Sequence, residues 1–142
     1  MDFKYLFTSL DGRINRKPYW LAALLLFVIS MVVQLGVYFA AGIQAMMIVG
    51  LAFFWPGFAL AVKRAHDRNR PTWLVIGFFV LVLITQFMQI AGIHENDPGE
   101  PTGAFQALSV VVAVYAIYAL IDWGFLKGTS GPNQFGPDPL QS

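Results

Sequence analysis

The fold is decided by residues 19–62, which read YWLAALLLFVISMVVQLGVYFAAGIQAMMIVGLAFFWPGFALAV and contain no charged side chain. As one helix this run would be roughly 66 Å long, about twice the hydrocarbon thickness of a bilayer. It therefore predicts two membrane-spanning helices with a turn between them, at Ala41, Gly42 and Gln44. Two further uncharged runs, 72–93 and 102–121, are each about one span long.

The predicted fold class is an all-α membrane protein, a single domain over residues 1–142 with four transmembrane helices. The predicted helix bounds are about 18–40, 44–63, 72–93 and 102–126. Only 12% of the residues are charged, whereas ordinary soluble domains carry about 25%. Pro56, inside the second helix, lacks the N–H that continues a helix and so predicts a kink near Phe53.

The basic residues lie on one side of every predicted span. The nine are Lys4, Arg13, Arg16, Lys17, Lys63, Arg64, Arg68, Arg70 and Lys127. Short loops rich in Lys and Arg stay in the cytoplasm, so both termini are predicted to be cytoplasmic. The acids Glu95, Asp97 and Glu100 fall on the opposite side. The chain is therefore expected to be a multi-pass membrane protein with an N-in, C-in orientation.

The segment before the first span carries an apolar stripe at helical spacing, Phe3, Leu6, Phe7 and Leu10. It predicts a short helix that lies in the membrane interface. A cleaved signal peptide does not fit, because the apolar run that follows is too long. The chain has no cysteine, which excludes disulfides and thiolate metal sites. It has no long basic run either, so nucleic acid is not an expected partner.

Three polar segments, residues 11–17, 63–70 and 128–139, become neighbours on the cytoplasmic side if four helices connect them. His66 and Asp67 suggest acid–base chemistry or a metal site. Adjacent residues point in different directions on a helix, however, and the other histidine lies across the membrane. The interpretation favoured is structural, and no metal or cofactor is expected. His66 would bond to the backbone or to Asn133, and Asp67 would pair with an arginine, Arg64 or Arg13.

Arginines of these segments leave two interpretations open. Arg13, Arg64 and Arg68 could together bind a phosphate, because guanidinium groups match phosphate oxygens. A structural network of Arg–Asp pairs explains the same residues. Asp122 adjoins an otherwise uncharged span, and we expect it to pair with Arg64 or Lys63 rather than to carry protons.

These segments, in this order, resemble a bacterial inner-membrane family, domain of unknown function 805, the YhaH-like proteins. The matching residues are Gly12, Arg13, Ile14, Asn15 and Arg16 with Tyr19 and Trp20, then residues 63–68 with Trp73, then Gly128, Thr129, Gly131, Asn133 and residues 135–139. The resemblance implies a small polytopic protein of the bacterial inner membrane with no assigned activity. Composition alone makes the Gly- and Pro-rich tail disordered, whereas the resemblance implies that it is a structured motif.

The candidate site residues form two sets. The first, for an anionic headgroup or a structural charge network, is Arg13, Arg16, Arg64, His66, Asp67, Arg68 and Asp122. The second, for a structured cytoplasmic cap, is Asn15, Trp20, Trp73, Asn133 and Asp138.

The leading functional hypothesis is a non-enzymatic membrane module that binds an anionic lipid or a membrane protein partner, including a second copy, through this cap. The first alternative is a small transporter or channel, suggested by Asp122 and Pro56. The second is an enzyme acting on a lipid-linked substrate, with His66 and Asp67 as acid–base residues.

Overall fold

The protein is described here by a computed structural model covering residues 2–141, and most of these are helical. Within that range five α-helices follow one another: α1 Phe3–Thr8, α2 Arg16–Gly50, α3 Phe54–Asp67, α4 Thr72–Ile90 and α5 Gly103–Ala119. A 3₁₀ turn joins α2 to α3, Leu51–Phe53, and a π-helical segment extends α5, Leu120–Phe125. Two short antiparallel strands form a hairpin between α4 and α5, β1 Glu95–Asp97 and β2 Glu100–Pro101.

Three stretches of the described chain are long and apolar enough to cross a membrane, Arg16–Asp67, Thr72–Ile90 and Gly103–Phe125. Their apolar side chains mostly face outward, and Phe39 is 78% exposed. A soluble protein does not leave so large an apolar surface in water. The fold is that of a mostly helical membrane protein.

The longest stretch, Arg16–Asp67, is a hairpin rather than one rod. Inside α2, Gly42 has φ 81° and ψ −177°, a conformation that glycine adopts far more easily than other residues. Beyond it the chain runs back, so that a Cβ on Gly57 would meet the Leu26 side chain at 3.9 Å. In a straight helix these two residues would be roughly 46 Å apart at 1.5 Å per residue. The turn predicted at residues 41–44 is therefore present, and Gly42 forms it.

Pro56 accounts for the change of helix type before α3. Its missing N–H leaves the carbonyl of Ala52, four residues earlier, without the usual partner. The chain forms the 3₁₀ turn Leu51–Phe53 at this place. The kink predicted near Phe53 corresponds in the structure to this 3₁₀ turn.

The predicted ends of the last two helices need correction. The helix α4 ends at Ile90 rather than at residue 93, because the chain turns at Gly92, whose φ is 69°. The expected outer loop is the β1–β2 hairpin, which turns at Gly99 with φ 83°. The α-helical part of α5 ends at Ala119, and the π-helical segment ends at Phe125, one residue before the predicted end.

The buried side chains lie at one end of the helix bundle. One apolar cluster is Ala61, Val62, Ala65, Val75, Ala119 and Trp123, and a second is Leu6, Ile14, Ala22 and Leu60. The helix α1 packs against α3 there, with Leu6 buried. The polar segments recognised in the sequence surround these clusters, so the site is assembled at this end.

Candidate functional site

Three polar segments pack together at the buried end, and we call them the cap: residues 11–17, 63–70 and 128–139. Their backbones are joined directly. The N–H of Ile14 donates to the carbonyl of Lys63 at 3.3 Å, and that of Thr129 donates to the carbonyl of Asp67 at 2.8 Å. The three segments that the sequence places side by side are thus in contact.

Asp67 is the centre of the buried charge network of the cap. Its Oδ1 accepts from Nε and Nη2 of Arg13, at 3.2 and 3.1 Å, and its Oδ2 accepts from Nη1 of Arg64. Its main-chain carbonyl also accepts from the hydroxyl of Thr129 at 3.1 Å. The carboxylate packs against Gly128, where a Cβ would overlap it. Asp67 therefore contacts both arginines expected from the sequence, as well as the tail.

Arg13 fastens the C-terminal tail to the rest of the cap. Besides Asp67, its guanidinium donates to the carbonyls of Thr129, Gly131 and Gly136, at 2.7, 2.9 and 3.2 Å. The two glycines have φ of 73° and 133°, values that allow the loop to turn its carbonyls inward without strain. The tail is folded around Arg13, as the family resemblance implies and as composition alone does not.

Arg64 is wholly buried and joins α3 to the end of α5. Its Nε donates to the carbonyl of Trp123 and its Nη2 to that of Leu126, both at 2.5 Å. Its Nη1 reaches Asp67 and, at 3.4 Å, the carbonyl of Ile14. Carbonyls at the C-terminal end of a helix have no intrahelical partner. Arg64 supplies the missing donors and places a positive charge at the negative end of the helix dipole.

Both ring nitrogens of His66 are engaged inside the cap. Nδ1 lies 3.2 Å from the carbonyl of Gly12, and Nε2 lies 2.8 Å from the hydroxyl of Thr72. Because a carbonyl only accepts, Nδ1 donates, and Nε2 of the neutral ring accepts from the threonine. The ring stacks on Phe135 with centroids 3.8 Å apart. The ring therefore bonds to a backbone carbonyl, as expected, and also to Thr72. Asn133 donates to the main-chain carbonyl of His66 at 2.9 Å rather than to its ring.

Asp122 is paired, but with other residues than the sequence suggested. Nη2 of Arg68 and both Nε and Nη2 of Arg70 lie 3.1–3.2 Å from its carboxylate. The expectation of Arg64 or Lys63 is wrong, because Lys63 donates to main-chain carbonyls and Arg64 donates to main-chain carbonyls and to Asp67 instead. The partners of Asp122 are Arg68 and Arg70, which lie in the turn after α3.

Lys63 has a role that the sequence analysis missed. Its buried ammonium donates to three carbonyls at the end of α1, those of Tyr5, Leu6 and Ser9, at 2.9, 2.8 and 2.5 Å. It thereby binds the last turn of α1 to α3. The sequence could have indicated this role of Lys63, because a short helix was predicted at the N-terminus and the last carbonyls of any helix need donors from elsewhere.

Asn15, Arg16 and Trp20 form the edge of the cap, where α2 begins. The side-chain oxygen of Asn15 caps α2 by accepting the N–H two residues on, at 3.1 Å. Arg16 donates to the carbonyl of Phe125 at 3.1 Å, and the Trp20 indole donates to that of Gly124 at 3.0 Å. Both donors hold the end of the π-helical segment against α2.

Of the predicted site residues, Trp73 stays apart from the network. It is 66% exposed at the start of α4, and its indole has no hydrogen bond to the part of the chain that the structure describes. The side chains brought together are Arg13, Asn15, Arg16, Trp20, Arg64, His66, Asp67, Arg68, Asp122, Asn133 and Asp138. Among residues 2–141 no group of three His, Cys, Asp or Glu side chains is placed to hold a metal ion.

Asp138 is a second carboxylate of the cap, only 8% exposed. The N–H groups of Leu140 and Gly131 each donate to one of its oxygens at 2.9 Å. These two bonds hold the pKa of Asp138 below its usual value, so the group is charged at neutral pH. No Lys, Arg or His of the described chain lies within salt-bridge distance of it.

A polar cavity of about 310 Å³ lies between these segments. Two cationic side chains line it, Arg16 and Lys127, together with two carboxylates, Asp67 and Asp138. Asn15, Leu140 and residues 128–130 complete the wall. The cavity therefore presents both signs of charge.

Comparison with known proteins supports a shared family over nearly the whole chain. The model of a family described as "Protein of unknown function (DUF805)" matches residues 7–137. Two relatives, each called "Uncharacterized protein YiiR", come from Escherichia coli strain K12 and Escherichia coli O157:H7. Each is 32% identical over 134 residues, covering 92% of this chain and 85% of the relative. No solved structure matches the chain.

Proposed function

Since this chain belongs to the DUF805 family, we propose that it is a non-enzymatic membrane module that binds anionic phospholipid at the cytoplasmic face of a bacterial inner membrane. The observation that carries the proposal is the division of its basic residues into two groups. Buried guanidinium groups bond to acceptors within the protein, while other cations are exposed at the same end of the bundle.

The proposed topology has four membrane crossings with both termini in the cytoplasm. The reversal at Gly42 supports separate crossings by residues 16–41 and 43–67. Each is roughly 37–39 Å long as a helix, enough for the hydrocarbon thickness of about 30 Å. The basic residues fall at the cap end and the acidic hairpin at the other, which supports a cytoplasmic cap.

The buried arginines are not available for a lipid. Every guanidinium nitrogen of Arg13 and Arg64 already bonds to a carbonyl or to Asp67. A phosphate could reach them only by displacing these contacts. We therefore assign Arg13 and Arg64 to a structural network of Arg–Asp pairs rather than to a phosphate site, the two interpretations that the sequence left open.

The exposed cations are suited to an anionic surface. Lys4, Lys17 and Lys127 are exposed, and within residues 2–141 their side chains have no hydrogen-bonded or salt-bridged acceptor. Trp20 and Trp73 are exposed beside the same end of the bundle, and indole rings favour the depth of lipid headgroups. Each such cation near an anionic leaflet contributes about 1 kcal/mol.

The test is retention of anionic lipid by the purified full chain, measured by native mass spectrometry. Lys4→Gln combined with Lys17→Gln should weaken phosphatidylglycerol binding by about fivefold per charge removed. Asp97→Asn combined with Glu100→Gln changes two charges at the opposite end and should leave retention unchanged. Equal retention by the lysine variant and wild type would contradict the proposal.

The two alternative functions find less support in the site. A proton-coupled transporter needs a carboxylate free to exchange protons, whereas Asp122 bonds to Arg68 and Arg70. An enzyme that used His66 would need a ring nitrogen facing a substrate, and both nitrogens face the protein.

A further inference from the structure

The polar cavity of the cap has a feature that attraction to anionic lipid does not explain. Its two cations, Arg16 and Lys127, would suit a phosphate, yet Asp138 lines the same space. A simple anion would be repelled by that carboxylate. The lining instead matches a ligand with charges of both signs.

The cationic side can hold a phosphate ester. Arg16 is anchored by one bond from Nη1 to the carbonyl of Phe125, which leaves its Nη2 and Nε without a partner in residues 2–141. Lys127 has an unpaired ammonium group within the same range, and Ser130 adds an exposed hydroxyl to the wall. Guanidinium and ammonium groups form strong charge-assisted hydrogen bonds to phosphate oxygens.

The acidic side lacks a cation. The charge of Asp67 is compensated by Arg13 and Arg64, so it does not act on the cavity as a free negative charge. Asp138 accepts only two backbone N–H groups, although a carboxylate can accept about four hydrogen bonds. Within residues 2–141 no cationic side chain forms a salt bridge with Asp138, so part of its hydrogen-bonding capacity is open to a ligand. An ammonium group in the cavity would supply the missing charge and N–H donors.

We propose that this cavity binds a phosphate ester bearing a primary ammonium group, the chemistry of an ethanolamine phospholipid headgroup or of free phosphoethanolamine. The phosphate lies at Arg16 and Lys127, and the ammonium lies at Asp138. This inference rests on the proposed function, because it takes from it that the cap lies at the membrane surface.

The size and lining of the cavity decide between amines. About 310 Å³ is at the small end of ligand sites and fits a headgroup rather than a large molecule. No aromatic side chain of residues 2–141 lines it, whereas quaternary ammonium groups are usually held in aromatic cages. A quaternary amine also has no N–H to donate to Asp138. The cavity therefore selects ethanolamine over choline.

The test is the affinity of the full chain for four lipids with identical acyl chains, measured by native mass spectrometry. They are phosphatidylethanolamine, its N-methyl and N,N-dimethyl derivatives, and phosphatidylcholine. The phosphate is constant while the number of N–H donors falls from three to none. Affinity should fall stepwise by roughly tenfold in total, as expected for losing a hydrogen bond between charged groups. Equal binding of the first and last lipid overturns the proposal.

Two variants assign the effect to the cavity. Asp138→Asn should bind all four lipids alike, because the amide keeps the shape but not the charge. Lys127→Gln should weaken all four by a similar factor, because it removes a phosphate contact from an exposed residue. If Asp138→Asn disturbs the folding of the tail, the four lipids measured with wild type and with Lys127→Gln still test whether the cavity prefers a primary ammonium group. Undiminished discrimination in a folded Asp138→Asn protein overturns the assignment of the ammonium.

Free O-phosphoethanolamine and inorganic phosphate distinguish the sources of the ligand. Displacement of bound lipid by micromolar phosphoethanolamine identifies a soluble ligand, whereas displacement only at millimolar concentration identifies the lipid headgroup. Displacement by inorganic phosphate at the same concentration as phosphoethanolamine overturns the need for an amine. The proposed function is tested separately, because its variant replaces Lys4 and Lys17, which do not line the cavity.

Discussion

Replacing Asp67 by asparagine should destabilise this protein more than the same replacement at an exposed site. The substitution keeps the size of the side chain but removes the charge that two guanidinium groups share. Nη2 of Arg13 lies 3.1 Å from Oδ1, and Arg64 contacts Oδ2. These side chains are 1% and 0% exposed, so neither cation can turn to water.

The expected loss follows from this geometry. Removing one partner of a buried ion pair costs about 3–5 kcal/mol, because the other charge stays buried and uncompensated. Here one carboxylate serves two cations, and one of its oxygens would become an NH₂ group facing their donors. We therefore expect about 4–5 kcal/mol, a large share of a typical stability of about 5–15 kcal/mol. Asp97→Asn, in the exposed hairpin, should change stability by less than about 0.5 kcal/mol.

The assay is unfolding by sodium dodecyl sulfate in mixed micelles, followed by tryptophan fluorescence. Trp123 is buried against Phe78, with ring centroids 6.1 Å apart, so its emission reports on the packing of the cap. A double-mutant cycle with Arg13→Gln should be non-additive, since the second substitution removes one of the stranded charges. A loss for Asp67→Asn within 1 kcal/mol of the Asp97→Asn value would refute the reasoning.

Two further predictions concern the tail. Gly128→Ala should destabilise the cap by about 1–3 kcal/mol, because its Cβ would overlap the carboxylate of Asp67; an unfolding midpoint equal to that of Gly103→Ala, where no atom lies within 4 Å, would contradict this. Acid should loosen the tail, because the folded pKa of Asp138 lies below the unfolded value of about 3.9. Its stabilising contribution is present above that value and is lost as the pH falls through the folded pKa. The two amides that bond to Asp138 should be protected from hydrogen exchange at pH 5 and lose protection well below pH 4; protection unchanged at pH 2 would refute this.

The helical architecture could be predicted because lipid leaves the backbone little choice. Backbone groups in the hydrocarbon region must be satisfied within a helix, so long uncharged runs become helices. Local chemistry then places the interruptions. Gly42 permits a positive φ, and the helix is interrupted there. Pro56 removes an N–H, and the helix changes to a 3₁₀ turn just before it, at Leu51–Phe53.

The partners of the charged side chains could be predicted only in part. Asp67 has neighbours within one turn of helix, so the sequence restricts its partners to a few residues. Asp122 is reached from the turn after α3, and its partners depend on which arginines the main-chain carbonyls have already engaged. Those carbonyls become available only where α1 and α5 end, and the sequence places these ends to within a few residues at best. The choice of Arg68 and Arg70 therefore required the structure.

The order in the tail also escaped analysis by composition. Glycine and proline disfavour helix and strand, which makes such a segment appear disordered. The tail is held in place by Arg13, more than a hundred residues earlier in the chain. Its guanidinium donates to three main-chain carbonyls of the tail, without forming helix or strand. The composition of the tail alone cannot reveal a hydrogen-bond donor that lies so far away in the sequence. The resemblance of the three motifs, in their order along the chain, to those of the family indicated instead that the tail is structured.

The hydrogen bonds of the cap stabilise the association of these helices, which the lipid environment does not do. Apolar helices gain little from contacting each other in a membrane, because lipid tails are equally apolar. Arg64, in contrast, bonds α3 to the carbonyls of Trp123 and Leu126, which would otherwise lack donors. In soluble proteins a whole buried ion pair can often be exchanged for apolar residues of similar volume without loss. Here the arginine mainly satisfies backbone, and an apolar side chain cannot do so.

Arg64→Met should therefore destabilise the protein by at least about 3 kcal/mol, since it leaves the carbonyls of Trp123 and Leu126 and part of Asp67 unsatisfied. Combining it with Asp67→Asn removes the charge imbalance but not the unsatisfied carbonyls, so most of the loss should remain. The same detergent titration measures both variants. Recovery of wild-type stability in the double variant would show that charge balance, rather than donation to the end of α5, is what Arg64 contributes.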